Sequence, residues 1–323
     1  MTNIISNIDR DKSTWVLPDT VTSNILDSLI KESKKEYNNN KNAFSDITLN
    51  LSKTKYIDIE GALSLICFCS AIKRKNRNTI FHFIYPEGNV LNYLMSLGFF
   101  GQMSNKVGVL EGQNIVHYEN ELRHKRKLKQ KIYSINSNLK PIILPIETIE
   151  QKRDTIGSGA NFEHMIGAFA SHALDTFNEL LTTPEFDFDG EDYYQFRESN
   201  IELYKNIFQH SKSWGLATIH ARPDFGTTVC YYDIGIGFKA SIGKFDTEIE
   251  SIEWALIDGN TSKQDGDNDG FGFTLIQEFV FKRNGNIKIR SGECLLQLSY
   301  DTTKKKNIVS YFPGVQISYF IPA

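Results

Sequence analysis

The chain carries only four cysteines in 323 residues. Cys67, Cys69, Cys230 and Cys294 all sit in apolar stretches, which predicts buried, reduced thiols rather than a disulfide framework. Cys67 and Cys69 form a CxC inside a helical stretch, and no second pair stands nearby to complete a zinc site. Long apolar runs are missing: nowhere do about 18 apolar residues follow one another, so no transmembrane helix is expected. The stretch from Met1 to Lys12 is polar, with Asp9, Arg10 and Asp11, and lacks the apolar core of a signal peptide. A cytoplasmic location is the expectation. Excess charge is missing too. The 36 Lys and Arg against 39 Asp and Glu leave a net charge of −3, too little for bulk attraction to nucleic acid or membrane, and neither is expected as a partner. No GxxxxGKS/T run occurs, so P-loop chemistry is not expected.

What is present is ordinary for a globular chain: 40% hydrophobic and 23% charged residues. The length suits two domains. In the first, Trp15 to Pro18 reads as a strand or lead-in, Val21 to Tyr37 as a helix, and Ile47 to Leu51 as a strand. Gly61 to Arg74 reads as an apolar helix, Thr79 to Tyr85 as a strand, and Val90 to Leu97 as a helix closed by Gly98. That alternation predicts a small α/β domain over residues 1–110. Residues 111–138 read as a connector with a basic run, Leu122 to Lys131, which is a solvated linker or helix face or else a contact for nucleic acid or an acidic partner. Residues 139–323 form the second domain. It opens on a strand near Lys140 to Glu147 and a helical pattern over Ala160 to Leu181. Further strands are expected at 216–220, 227–234, 287–290, 295–300, 307–312 and 315–321, and a helix at 248–256.

Three pieces of this second domain carry chemistry. Glu202-Leu-Tyr-Lys-Asn206-Ile-Phe-Gln-His210 places Glu202 and Asn206 at i and i+4 on one helix face. Such a carboxylate can polarise an attacking water or hydroxyl. An amide oxygen one turn on can bind magnesium, which takes oxygen ligands. Asp233-Ile-Gly235-Ile-Gly237 ends an apolar run, and glycines there let backbone approach a flat ligand. Gly270-Phe-Gly272 opens a helix whose N-terminus can receive phosphate. Taken singly, each has a bland reading: a surface pair, a turn, a loop. In this order they resemble the nucleotide site of the GHKL ATPases, the class of gyrase, the histidine kinases and the anti-sigma kinases.

That resemblance implies an α+β fold, a two-layer α/β sandwich with a mixed sheet, binding ATP and Mg2+. It implies Glu202 as base, Asn206 as magnesium ligand, Asp233 as acceptor from the adenine amine, and Gly235, Gly237, Gly270 and Gly272 as pocket glycines. Asn260 and Lys263 are candidate contacts from the lid between Gly237 and Gly270. Phe273 and Thr274 depart from the family, where Leu and Gly are usual, which bears on turnover. In the first domain, Leu51-Ser-Lys-Thr-Lys-Tyr-Ile-Asp58, Glu60-Gly61 and Tyr93-Leu-Met-Ser-Leu-Gly98-Phe99-Phe100 resemble a STAS, or anti-sigma-antagonist, domain. Regulated members carry Ser or Thr where this chain has Glu60. That residue reads as a carboxylate favoured near a helix N-terminus, or as a fixed charge in place of a phosphate.

Three decoys are set aside. His164 and His172 lack the acidic residue and later proline of a histidine-kinase phosphoacceptor. Asp224-Phe-Gly226 reads as a hairpin turn. Asp265-Gly-Asp267-Asn-Asp269-Gly270 starts like a calcium loop, but Ile276 stands where a bidentate Glu belongs. The expectation is a protein that hydrolyses ATP or phosphorylates a protein partner, regulated through its STAS-like domain. The partner would be a STAS-like or anti-sigma-type regulator, and self-association into a homodimer stays open. The alternative is a non-catalytic, ATP-gated interaction switch.

Overall fold

The structure, a computed structural model, describes residues 5–9, 12–39, 46–107, 142–143, 147–149, 190–222, 225–257, 259 and 272–323. The chain divides into two compact units, Met1–Asn136 and Ser137–Ala323, and both mix helices with strands. Among the described residues no helix is long and apolar enough to cross a membrane. All four cysteines are buried thiols.

The first unit holds a sheet of β1 (Ile5–Asp9), β2 (Lys12–Val16), β4 (Asp46–Asn50) and β6 (Ile80–Ile84), in that spatial order. β1 and β2 form an antiparallel hairpin, and β2, β4 and β6 run parallel. A short parallel pair, β3 (Thr20–Val21) with β5 (Tyr56–Ile57), lies off this sheet. Alternation sets its buried face: Trp15, Ile47, Leu49, Phe81 and Phe83 point into the core. Against them pack α1 (Ile25–Asn39) and α2 (Ile59–Lys75), with Trp15 and Phe68 rings 5.6 Å apart. α2 is buried continuously from Ile59 to Ser70, which is why it reads apolar all round. Asp58 caps it, accepting from the Gly61 N–H at 2.6 Å. Gly61 has no room for a side chain, since a Cβ would lie 2.6 Å from the Val21 carbonyl oxygen. Glu60 is 8% exposed in the first turn of α2, within the field of that N-terminus. α3 (Gly88–Leu97) stops at Gly98, whose φ is 70°, and α4 (Phe99–Val107) begins at once. α4 was not anticipated, though Phe99, Phe100, Met103 and Val107 give it a buried stripe at helical spacing.

The second unit is two layers. Its sheet runs β11 (Asn286–Ser299), β12 (Thr302–Pro322), β10 (Gly226–Asp233), β9 (Gly215–Arg222), β7 (Ile142–Ile143), and β8 (Glu147–Ile149) also pairs with β9. A mixed sheet is the sequence expectation. Every pairing among these described strands is antiparallel, and the parallel pairings belong to the first unit. The separate strands expected at 307–312 and 315–321 are one strand, β12. It passes Pro313-Gly314 through register shifts opposite Ser291 and Gly292, where an irregularity removes the ladder bond a proline cannot make. Ala217, Tyr231 and Ile317 lie side by side on one face and continue through Ile219, Val229 and Tyr319. That face packs on α5 (Gly190–His210), α7 (Glu248–Ala255) and α8 (Gly272–Lys282) through Phe196, Leu203, Ile207, Ile252, Ile276 and Phe279. A short helix, α6 (Gly237–Ile242), follows β10.

Candidate functional site

α5 carries two stripes. Phe196, Asn200, Leu203 and Ile207 recur at helical spacing and face the sheet. Asn200 is the polar member. Its Oδ1 accepts from Tyr231 Oη at 3.0 Å and Tyr319 Oη at 2.9 Å, and its amide donates to the Phe196 carbonyl at 2.7 Å. The adjacent stripe, Glu202, Asn206 and His210, lines a cleft that is partly open to solvent. Asp233, Gly237 and Gly272 line the same cleft. Tyr231, Phe238, Trp254 and Phe273 add aromatic wall.

Asp233 ends β10 and is 3% exposed. Its Oδ1 accepts from the Gly235 N–H at 2.7 Å and the Val315 N–H at 3.2 Å. Its Oδ2 makes no hydrogen bond to a described residue. Burial pushes the carboxyl up to about 7, against the pull of those two N–H groups. A buried carboxylate with a spare oxygen beside a cleft is a site for an N–H donor.

No family model matches the chain, and no curated protein matches it.

The glycines divide by role. Gly235 does not line the cleft. A Cβ there would lie 2.1 Å from the Ser211 carbonyl oxygen, so it is glycine because the loop crosses the end of α5. That packing reason stands beside the expectation that it admits a ligand. Gly237 has φ +79° at the entry to α6, and a Cβ would meet Ser291 Oγ at 2.9 Å and Glu248 Oε1 at 3.0 Å. Glu248 fills that corner: its Oε1 accepts from the Phe238 N–H at 2.9 Å, the Lys239 N–H at 3.2 Å and the Ser291 hydroxyl. Gly272 opens α8 against Glu202, whose Cβ would lie 2.9 Å from a Cβ at 272.

Glu202 pairs with Lys205, Nζ to Oε1 at 3.4 Å. Asn206 lines the cleft, and its side-chain amide makes no hydrogen bond to a described residue. His210 Nδ1 lies 3.1 Å from Ser241 Oγ, joining α5 to α6. No group of three or more His, Cys, Asp or Glu capable of holding a metal occurs among the described residues. A cation here would take one amide oxygen from the protein and the rest from ligand and water, the usual habit of magnesium.

Of the expected site residues, Glu202, Asn206, Asp233, Gly237 and Gly272 meet at one cleft. Asn260, Lys263 and Gly270 lie outside the described residues, as do His164, His172, Asp224, the basic run 122–131 and the acidic stretch 265–270. Sequence reading missed Asn200, Lys205 and Glu248. Asn200 had a signal, a polar residue within an apolar stripe. Glu248 had one too, the capping box of Thr247 and Glu250 that opens α7.

Proposed function

We propose that this cleft binds ATP with Mg2+ in the manner of a GHKL protein, and that the chain hydrolyses ATP or phosphorylates a protein partner. What supports the reading above all is convergence. Glu202, Asn206, Asp233, Gly237 and Gly272, spread over some seventy positions, line one cleft, and Asp233 keeps an acceptor oxygen spare. In this reading Asp233 accepts from the exocyclic amine of adenine, which guanine replaces with a carbonyl. Asn206 holds the cation, which supplies charge neutralisation at the phosphates. Glu202 lies one turn earlier on the same face, where it can take the proton of an attacking water or partner hydroxyl. The first unit is read as a STAS-like module docking or regulating that activity.

Calorimetry with ATP and magnesium tests the binding step. Asn206→Ala is expected to abolish magnesium-dependent binding while the chain stays folded. Equal competition by GTP and ATP in the wild type would count against Asp233 as the adenine anchor. Glu202→Gln is expected to leave ATP affinity unchanged and lower phosphate release or partner labelling by roughly 10²–10⁴-fold, the worth of a positioned base. Normal turnover in that variant would remove Glu202 from the chemistry.

One observation favours the second reading, a nucleotide-gated switch without turnover: the base itself is tied to Lys205. Retained ATP with no phosphate release and no labelled partner would select it.

A further inference from the structure

We propose that Lys205 restrains turnover at this site by holding the carboxylate of Glu202. The proposal rests on reading the cleft as an ATP site, and it concerns the regulation of that site. Lys205 and Glu202 stand at i+3 and i on α5, and Nζ lies 3.4 Å from Oε1. Their side chains are 14% and 23% exposed, so solvent screens the pair less than it would at an open surface. Glu202 is held on its other side as well. A Cβ at Gly272 would lie 3.2 Å from Oε2, which places that oxygen against the opening residue of α8. One oxygen therefore faces an ammonium and the other faces backbone.

Base catalysis needs a carboxylate oxygen within hydrogen-bond reach of the attacking group. In hydrolysis that group is water. Its oxygen bonds to the γ-phosphorus, the bond from γ-phosphorus to the β–γ bridging oxygen breaks, ADP leaves, and the water proton passes to Glu202. A cation beside Oε1 opposes that transfer, because it occupies the oxygen that would take the proton. Lys205 does not line the cleft. It acts through Glu202, as a positioning residue.

The test uses the full chain with ATP and magnesium, in the wild type and in Lys205→Met and Lys205→Arg. Methionine keeps an unbranched apolar stem in a largely buried place and removes the charge. Arginine keeps the charge. Calorimetry reads ATP affinity and single-turnover assays read phosphate release. All three proteins are expected to bind ATP within a factor of about 3 of one another. Lys205→Met is expected to release phosphate roughly tenfold faster or more, inside the range a freed base can supply. Lys205→Arg is expected to stay at the wild-type rate. A faster rate at constant affinity is not what loss of a structural contact produces. If the wild type binds ATP without turnover, appearance of turnover in Lys205→Met supports the restraint. If the wild type binds ATP and Lys205→Met is no faster, or Lys205→Arg is equally fast, the restraint is overturned and the ATP reading stands. If the wild type binds no ATP, the ATP reading fails and the restraint with it.

Discussion

At Asp233 burial places a carboxyl that titrates near neutrality beside the cleft. The folded carboxyl is pushed up to about 7 by burial, and only the ionised form offers both oxygens as acceptors. Affinity for adenosine, which carries no phosphate to titrate, is expected to rise as pH increases through about 7. Calorimetry between pH 5.5 and pH 8.5, a window of roughly 1.5 units either side of that value, checks this. In Asp233→Asn the dependence is expected to vanish and selectivity for adenine to weaken, since an amide donates as well as accepts. A flat wild-type profile would mean that Asp233 does not meet the ligand. Gly272 makes a second prediction at this scale. A methyl there would meet Glu202 Cβ at 2.9 Å and Cγ at 3.0 Å, and that stem has to shift. Gly272→Ala is expected to cut phosphate release up to about 10²-fold, the effect of a displacement near 1 Å, while ATP affinity changes little. Gly237→Ala is expected to act on the fold instead, because φ +79° disfavours any side chain, by roughly 1–2 kcal/mol.

α5 is the element that joins the cleft to the sheet, and it is fastened at two points. In its middle, Asn200 accepts from the hydroxyls of Tyr231 and Tyr319 at once. Both phenols are pushed up by burial, so they stay protonated and donate. Asn200→Ala leaves both without their acceptor. At about 1–3 kcal/mol for each buried group left unsatisfied, the midpoint of thermal unfolding is expected to fall by several degrees or more. Tyr231 also lines the cleft, so nucleotide affinity should weaken in the same variant. Near its start, Asp192 meets Lys282 Nζ at 2.8 Å and also Arg283, tying α5 to the last turn of α8. Burial would raise this carboxyl, yet the hydrogen bonds and charges of Lys282 and Arg283 outweigh it and hold the group below its ordinary value. A carboxyl lowered in the fold stabilises at pH above its unfolded value and loses that contribution as pH falls through the folded one. Asp192→Asn is therefore expected to destabilise the chain at neutral pH and to narrow the gap from wild type in strong acid. Denaturant melts at both pH values would show it.

Over the molecule, buried Asp233 and half-buried His220 set opposing slopes of stability with pH. Asp233 is raised from 3.8 to about 7, so the folded chain binds the extra proton and stability falls as pH rises across that window. His220 is lowered from 6.5 to about 4, first by burial and then by the charge of Arg222. There the unfolded chain binds the extra proton, and stability rises with pH. Each shift corresponds to something on the order of 3–4 kcal/mol. Wild-type stability is expected to vary little between pH 4 and pH 6.5 from these two groups. Asp233→Asn should uncover the His220 slope, and that variant should lose stability on acidification; equal slopes in the two proteins would refute the pairing. Much of this architecture is legible in residue order. Periodicity marks α1, α2, β4, β6, β9 and β10, because each buries one face and its apolar residues must recur with the element's own period. The i, i+4 spacing of Glu202 and Asn206 is likewise a local fact, since a helix alone puts them on one face. β1 is polar and became a strand only by pairing with β2. β12 runs through Pro313 because an irregular register in the β11 ladder accommodates it. Gly235 looked like a ligand glycine, and only the crossing of α5 showed that Ser211 requires it. The sequence by itself determined which side-chain types stand together on one helix face or at one turn, since that depends on residue type and short-range spacing. Tertiary structure alone decided that Asp233 keeps one oxygen spare, that Asn200 joins two strands, and that Glu202 lies against the opening of α8. Those are contacts across layers, and no local period encodes which side chains meet there.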